Sequence, residues 1–515
     1  MTITSFSFFI FLLVGMLLFY VTKEKNQWIV LLGISIFFYC CSTKPYTIIF
    51  LVVSTSLAFL SSNLHTLFPG SVSRYKKLVL IITIIAIALN VFIWFLIKGN
   101  AIWISASSIV HMIIPCSPIL SALPVLPALG MGYYTAQVIG YILDCYWGNI
   151  EPQKNILKLF LFLSFFPQLI VGPISRYSQM EDLYKGHSFI LKNFQWGSQR
   201  ILWGVFKKLV ISDRIGIIVN GIWGDSVQYN GLWLWIAVFL APLQIYTDFS
   251  GCMDIVLGTA ELFDIHLSEN FRSPFLAKNS QEFWQRWHIT LGAWARDYMY
   301  YPILKSKLII TIGKWAKRNF SKRVAKLIPW AIGMGFLWFM MGFWHGSMQH
   351  ILGVSLWFWL ILICGEIFSP FLKKVICVLR INTSNFSWCT FQRIRTYLIY
   401  AVGVIFFSAP DLKDGLIRFR MLGNSFKEFN PWIFFDNSIL NLGVEYRDIN
   451  IIIISIVLLF IVDVLADKYG YARRWIEEQG LIFRWMIWGG LFAFVLVFGL
   501  YGSNHGVSNF IYAVF

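Results

Sequence analysis

Long apolar runs, separated by short polar loops, follow one another along almost the whole chain. A helix needs about 20 mostly apolar residues to cross the hydrocarbon core of a bilayer. The clearest runs that approach or reach this length are 5–22, 28–41, 46–61, 78–97, 328–343, 351–369, 450–465 and 484–501. With the interrupted stretches at 101–265 and near 396–408, the pattern predicts an all-α multi-pass membrane protein with about 11 transmembrane helices, besides re-entrant or interfacial ones.

Basic residues between the runs predict how the chain is oriented. Lys23 and Lys25 follow the first run, and a second basic group at 74–77 follows two further crossings. Because cytoplasmic loops are enriched in lysine and arginine, both groups are expected in the cytoplasm and the N-terminus outside. The first run has no basic region before it and no small-residue cleavage pattern after it, so we interpret it as a membrane span and not as a signal peptide.

Composition and charge narrow the possible functions. Of the 515 residues, 58% are hydrophobic and 13% are charged, which is far from the balance of a soluble globular protein. The net charge of +17 comes largely from short loops, where cations meet anionic lipid headgroups, so we predict membrane lipids and no nucleic acid as partners. Eight scattered cysteines, without a C-x-x-C pair or zinc-like spacing, predict neither a disulfide framework nor a metal site.

No linker or repeat divides the chain, so residues 1–515 are predicted to form a single membrane domain. Its motif-rich core is expected at 120–350 and its C-terminal transmembrane segments at 396–515. Acids, prolines and glycines lie within or near the apolar segments of 120–305. Since a charge at the centre of a spanning helix costs roughly 2.5–3.5 kcal/mol on insertion scales, this region is the predicted functional site.

The most basic stretch, 305–326, contains eight cations and no acid, interleaved with apolar residues such as Trp315. We predict that it lies at the membrane interface on anionic lipid. Alternatively, some of its cations contact the phosphates of a cytoplasmic cofactor.

The stretch SQEFWQRWHITLGAWARDYMYYPI (280–303) is predicted to form one helix. Trp284 and His288 belong to a series of apolar positions spaced i, i+3, i+4, i+7, while Arg296 and Asp297 fall on other faces. His288 is therefore expected in an apolar seam, where it is either a hydrogen-bonded packing residue or part of a site.

The stretch FMMGFWHGSMQH contains two histidines, His345 and His350, and no acid. Gly342 and Gly346 let backbone or a ligand approach His345 closely, and Trp344 supplies an apolar wall. An imidazole, whose unperturbed pKa is near neutral, is the usual group for abstracting a proton from an alcohol. His345 is therefore a candidate general base.

Asp248, Ser250 and Asp254 form a third polar group, within YTDFSGCMD. The two acids can hold a helix break or orient other polar groups, and we favour such structural support over a carboxylate catalytic pair. The sequence contains no G-x-S-x-G elbow, Walker A loop, H-E-x-x-H motif or Rossmann fingerprint. The nucleophile is therefore expected to be a hydroxyl of the substrate.

Six stretches together resemble a known family. They are LPALGMGYYTAQVIGYILDCYWG (126–148), FFPQLIVGPISRY (165–177), WGVFKKLVISDRI (203–215), YTDFSGCMDIVLGTAELFDIHLSENFRSPF (246–275), FWQRWHITLGAWARDYMYYPI (283–303) and GFWHG (342–346). They are similar to the membrane-bound O-acyltransferases, in the bacterial branch of alginate O-acetyltransferases, peptidoglycan O-acetylation proteins and teichoic acid D-alanyl transferases. A weaker similarity at 402–416 and in the terminal NFIYAVF extends the resemblance over nearly the whole chain.

The resemblance implies a ring of transmembrane helices around a central tunnel. There an acyl group from a cytoplasmic thioester is moved to a hydroxyl acceptor on the outer side. His345 corresponds to the family's near-invariant histidine, the general base, and His288 to its second motif histidine. The residues that would bind substrate or shape the site are Trp284, Trp287, Arg296, Asp297, Trp344, Asp248, Ser250 and Asp254.

The implied donor is acetyl-CoA or another acyl thioester, with no tightly bound cofactor, and the implied acceptor is an envelope glycan. An extracytoplasmic acyltransferase or accessory protein is the expected partner, and the cytoplasmic membrane of the cell is the expected location. Related proteins end in a motif like F-I-Y-F-Q-F, whose tyrosine is a possible acyl relay. Here Tyr512 is present, but A-V replaces F-Q, so Tyr512 is a candidate relay that a packed tail explains equally well.

Three alternatives stay open. D-alanyl transfer is the second choice, because the length and the segment beyond residue 400 resemble the alginate type more. A transporter or channel would use His288, His345, Asp248 and Asp254 as a proton or ion path. A structural scaffold of a surface-polymer export complex would function without His345.

Overall fold

The computed structural model describes residues 1–67, 75–98, 128–226 and 228–501. In these ranges the chain is helical, and its β pairing is one isolated bridge. The helices are Phe6–Val21, Gln27–Ser42, Ile48–Leu67, Lys76–Lys98, Met131–Trp147, Ile156–Ser164, Phe166–Leu169, Leu191–Val205, Asp213–Gly224, Leu232–Glu261, Ser280–Arg286, Ile289–Ala295, Tyr301–Leu304, Lys307–Asn319, Lys322–His345, Ser355–Val378, Phe386–Phe407, Leu412–Asn424, Tyr446–Tyr469, Ala472–Glu477 and Leu481–Phe498. Three π-helical segments continue some of them: Phe206–Ser212, Arg296–Tyr300 and Gln349–Val354.

The predicted all-α membrane fold is confirmed. In the described ranges, seven helices are long and apolar enough to cross a membrane. They are Pro45–Leu64, Lys76–Ile97, Leu232–Glu261, Lys322–His345, Gln349–Val378, Tyr446–Tyr469 and Leu481–Phe498. The apolar helix Phe6–Val21, predicted as the first span, is shorter. The total of about 11 spans stays a prediction, as do the single domain and the orientation of the chain.

The helix Leu232–Glu261, which we call the central helix, packs closely against Leu191–Val205 because glycines face each other at the crossing. A Cβ atom added to Gly204 would lie 2.5 Å from the carbonyl oxygen of Gly251, and one added to Gly251 would lie 2.9 Å from that of Gly204. Membrane helices approach closely where small residues meet. The spacing between these two helices therefore depends on the absence of side chains.

The prediction of a single helix over 280–303 is wrong, because the chain breaks at His288. Helices Ser280–Arg286 and Ile289–Ala295 flank the break, and His288 has a left-handed backbone with φ of +48°. The first N–H of the second helix donates to the carbonyl oxygen of Asn270 at 3.0 Å. This contact from a neighbouring segment satisfies a backbone group that the interrupted helix leaves free.

Replacing Gly204 by valine should destabilise the protein. Its Cβ atom would lie 2.5 Å from the Gly251 carbonyl oxygen and 2.8 Å from Cγ1 of Ile255, and overpacking of this kind costs about 1–3 kcal/mol. We expect a lower Tm for detergent-solubilised Gly204→Val. Gly489→Val is the control, because an added Cβ atom there meets nothing within 4 Å. An equal Tm in both variants would show that the crossing tolerates side chains.

Candidate functional site

His288 and His345 line one cavity of about 1510 Å³. Its walls come largely from three helices, Lys322–His345, Ser355–Val378 and Phe386–Phe407. The broken segment around His288 and the π-helical segment Gln349–Val354 supply most of the remaining lining. Most lining side chains are apolar or aromatic, and Trp284, Trp287 and Arg296 are among them. The structure thus brings the two predicted histidines to one site, although they lie in different segments of the chain.

His345 is the last residue of its helix, and the chain turns back immediately after it. Gly346 ends the helix with a left-handed φ of +82°. A Cβ atom on Gly342 would lie 2.6 Å from the carbonyl oxygen of His350, so glycine lets the returning chain pack against the helix. As a result the imidazoles of His345 and His350 stack, with ring centroids 5.0 Å apart and an interplanar angle of 19°.

Trp344 packs between the two predicted histidines. Its ring centroid is 5.0 Å from that of His345 and 6.4 Å from that of His288. Its indole N–H donates to the carbonyl oxygen of Gly132 at 3.2 Å, which fixes the ring. Trp344 is absent from the lining of the cavity, so it shapes the site by holding the histidines in place.

His288 is buried, with 5% of its surface exposed. Its Nδ1 lies 3.2 Å from Oδ1 of Asn270, and the ring of Phe249 meets it edge-on at a centroid distance of 4.9 Å. Its other ring nitrogen, Nε2, is buried without a hydrogen-bond partner in the described part of the chain. The predicted apolar seam is therefore present, and it leaves one nitrogen of the imidazole unused.

Three cavity-lining tryptophans, Trp284, Trp338 and Trp388, carry unused donors as well. Trp284 packs edge-on against Trp338, with ring centroids 4.8 Å apart, and against Phe358 at 4.7 Å. The indole N–H groups of Trp284, Trp338 and Trp388 are buried and lack a partner among the described residues. A buried donor without a partner is uncommon in proteins, and here such donors line a cavity large enough for a substrate.

Arg296 and Asp297 are adjacent in sequence but belong to different cavities. Arg296 lines the histidine cavity, whereas Asp297 lines a separate cavity of about 460 Å³. Asp297 accepts hydrogen bonds from Arg296, at 3.0 Å, and from Arg176. Burial alone would raise the pKa of Asp297, but these two guanidinium groups outweigh it and lower the pKa. Asp297 therefore anchors two arginines from behind the cavity.

Asp248, Ser250 and Asp254 are not among the residues that line the histidine cavity. Asp248 lies 2.7 Å from the Lys208 amine. The Lys207 amine donates to Ser250 at 2.8 Å and lies 2.5 Å from Asp254. These contacts place a carboxylate beside each of the two buried lysines, and structural support by the two acids stays the favoured prediction.

Several residues of the site had no predicted role, among them Trp338, His350 and Asn270. His350 is 2% exposed and lines the cavity beside His345. Gly342 and Gly346 were the sequence signal for the turn that brings His350 back beside His345. Asn270 contacts His288 from a distant segment, and nothing in its local sequence identifies it as a partner. The candidate relay Tyr512 lies outside the described residues.

Within the described ranges, no group of three or more His, Cys, Asp and Glu side chains could hold a metal ion. The chemistry that the cavity itself offers is acid–base chemistry by imidazoles and hydrogen bonding by indole N–H groups.

The model of the MBOAT, membrane-bound O-acyltransferase family matches residues 152–313. The chain therefore contains a domain of this family, as its motifs predicted. The matched segment includes His288 and Arg296, whereas His345 lies beyond it. The family domain thus supplies one side of the cavity, and the helices that follow supply the other.

Curated relatives of this chain are named as enzymes that transfer an acyl group. The probable alginate O-acetylase AlgI of Pseudomonas syringae pv. tomato is 28% identical over 310 residues, 60% of this chain and 53% of that protein. The peptidoglycan O-acetyltransferase of Helicobacter pylori is 29% identical over 383 residues, 67% of this chain and 66% of that protein. The teichoic acid D-alanyltransferase of Bacillus subtilis is 27% identical over 256 residues, 48% of this chain and 60% of that protein. The chain thus matches between about half and two thirds of the length of these relatives.

Replacing Asp254 by asparagine should destabilise the protein. It leaves Lys207 and Arg200, both within 3.0 Å of Asp254, without that counter-charge, and breaking a buried pair costs about 3–5 kcal/mol. We expect a clearly lower Tm for Asp254→Asn. The control Asp182→Asn breaks an exposed pair with Lys185, for which about 0–1 kcal/mol is expected. Equal Tm values would contradict a supporting role for Asp254.

Proposed function

We propose that this chain is a membrane-bound O-acyltransferase that moves an acyl group from a cytoplasmic thioester to a hydroxyl of a cell-surface glycan. The observation that carries the proposal is the single cavity into which a family domain and the helices after it bring His288 and His345. A hydroxyl needs a base to become a nucleophile near neutral pH, and a neutral imidazole is well suited to this task.

His345 acts as the general base. It takes the proton of the acceptor hydroxyl while the hydroxyl oxygen forms a bond to the thioester carbonyl carbon. The tetrahedral intermediate then expels the thiolate, and the C–S bond breaks. The imidazolium of His345 returns its proton to the thiolate, so the products are an ester and a free thiol, and the enzyme is regenerated.

The negative charge that develops on the carbonyl oxygen needs donors in a site without water. Trp284 and Trp338 line the cavity, and their indole N–H groups are buried donors without a protein partner among the described residues. Either can stabilise the oxyanion during transfer. Trp287 contributes to the apolar wall, and Trp344 positions the histidines.

The proposed donor is acetyl-CoA, used as a substrate and not as a bound cofactor. The alginate and peptidoglycan relatives named above match 60% and 67% of this chain, whereas the D-alanyl relative matches 48%, which favours acetyl over D-alanyl transfer. The acceptor that fits these relatives is an envelope polysaccharide. D-alanyl transfer to teichoic acid remains the second proposal.

The transport alternative has less support. It requires His288, His345, Asp248 and Asp254 on one path, but the two acids are paired with lysines and do not line the cavity. A scaffold role gives no reason for two imidazoles in a cavity of this size.

The location and the partner proteins of the enzyme follow from the same family resemblance. We place the protein in the cytoplasmic membrane, with an extracytoplasmic acyltransferase or accessory protein that completes delivery to the glycan. Tyr512 is proposed as an acyl relay at the C-terminus, on the resemblance alone.

Anionic lipid is the proposed partner of the helix Lys307–Asn319. Its cations Lys314, Lys317 and Arg318 are exposed, and so is Trp315, with 52% of its surface accessible. An amphipathic helix that exposes cations and a tryptophan fits the headgroup region of an anionic membrane.

Replacing His345 by alanine should abolish acyl transfer. Loss of a general base costs about 10²–10⁴-fold in rate, so surface-glycan O-acetyl esters, measured by mass spectrometry after mild alkaline release, should disappear at equal membrane levels of protein. The matched control is His266→Ala, since His266 is an exposed histidine. Unchanged ester content in His345→Ala would exclude this mechanism. If neither the wild type nor the variant produces acetyl esters, D-alanyl ester content should be measured in the same strains.

Reversing three charges, in Lys314→Glu, Lys317→Glu and Arg318→Glu together, should remove bound anionic lipid. Each cation near a membrane contributes about 1 kcal/mol to such binding, so the triple variant should lose at least about 100-fold in affinity. Native mass spectrometry of protein purified from anionic bilayers measures the lipids retained. Lys413→Glu, an exposed lysine of another helix, should retain them. If the triple variant and Lys413→Glu retain equal amounts of anionic lipid, the partner of the helix Lys307–Asn319 is not anionic lipid.

A further inference from the structure

Asn270 holds the turn that carries His288. Asn270 is fully buried, and its backbone carbonyl accepts the N–H of Ile289 at 3.0 Å. Its side-chain oxygen Oδ1 accepts the backbone N–H of Thr290 at 3.1 Å and the Thr290 hydroxyl at 2.9 Å. Nδ1 of His288 lies 3.2 Å from the same oxygen. One asparagine therefore contacts the three residues at the helix break.

These contacts establish the orientation of the Asn270 amide. A backbone N–H can only donate, so the atom that faces the N–H of Thr290 has to be the amide oxygen. On the opposite side, the amide nitrogen Nδ2 lies 3.9 Å from the sulfur of Met253, which is a weak acceptor. Both neighbours thus require Oδ1 to face His288.

The amide orientation in turn determines the tautomer of His288. Because Oδ1 of Asn270 has no proton to give, Nδ1 of His288 has to be the protonated nitrogen. In a neutral imidazole the second nitrogen, Nε2, then has a lone pair and no proton. Nε2 is the buried atom for which the described residues supply no partner, and His288 lines the cavity.

We propose that Asn270 is a positioning residue that fixes His288 in the Nδ1–H tautomer, so that Nε2 accepts a hydrogen bond from the glycan acceptor. This inference rests on the proposed acyltransferase function. The attacking hydroxyl has one proton, and His345 takes it. The hydroxyl that donates to His288 is therefore a second one on the same acceptor, which makes His288 a selector for polyhydroxylated substrates.

Solid-state NMR of the full-length protein in bilayers, with ¹⁵N-labelled histidine, tests the tautomer directly. The His288 signals are identified by their loss in His288→Gln. We expect a protonated Nδ1 and a non-protonated Nε2 in the wild type. A protonated Nε2 in the wild type would overturn the inference. Since this readout needs no substrate, it is independent of whether the proposed acyl transfer occurs.

Variants of Asn270 link the tautomer to activity. Asn270→Ala removes the acceptor, so Nε2 should gain a proton and surface O-acetyl esters should fall about 10- to 100-fold, as expected for loss of one substrate hydrogen bond. Asn270→Asp keeps an oxygen at this position and, like the aspartate of a catalytic triad, should retain the wild-type tautomer and most esters. Unchanged ester content and an unchanged tautomer in Asn270→Ala would contradict the proposal.

Thr290→Val is the control for general loosening of the turn. It removes one donor to Asn270 and the acceptor of the Ile174 backbone N–H but leaves the contact with His288. The tautomer should therefore persist, and ester content at equal membrane levels of protein should stay within about threefold of wild type. A fall equal to that of Asn270→Ala would assign Asn270 a structural role only. If Asn270→Ala does not accumulate, the spectra of the wild type and Asn270→Asp decide the question.

Discussion

Polar groups at membrane depth must find their partners within the protein, because lipid tails offer neither donors nor acceptors. The central helix meets this requirement with ion pairs, since Asp248 and Asp254 neutralise two buried lysines. The break at His288 meets it with Asn270, whose carbonyl oxygen and amide oxygen serve the interrupted backbone. Where such partners are present, the chain can leave regular helix geometry in the protein interior without leaving those backbone groups unpaired.

The same constraint explains why the atoms that remain unpaired are informative. Nε2 of His288 and the indole N–H groups of Trp284 and Trp338 are buried without partners in the described part of the chain. All three residues line the cavity. Other buried polar atoms in the described part of the chain also lack partners, but these three belong to residues that a ligand in the cavity would contact.

Two parts of the chain build the cavity together. The family match at 152–313 includes His288 and the break that exposes it to the cavity. His345 and the three helices that wall the cavity come after the match. A family domain alone therefore specifies one imidazole of the site, and the second depends on a turn in which Gly342 and Gly346 allow the chain to double back.

The sequence by itself determined the fold class, since apolar runs of membrane length have few alternatives to helices, and its motifs identified both His288 and His345. It could not show the break at 287–288, because helical periodicity continues across that position while the competing hydrogen bonds come from Asn270, in a different segment. The family resemblance placed Asp248 and Asp254 among the site-shaping residues, whereas the residues themselves favoured structural support, and their lysine partners are visible only in the folded structure. The periodicity of the helix determines which residues share a helix face, and this can be read from the sequence. The pairing of polar groups arises only when the helices pack together. That pairing decides which residues support the site and which remain available for chemistry.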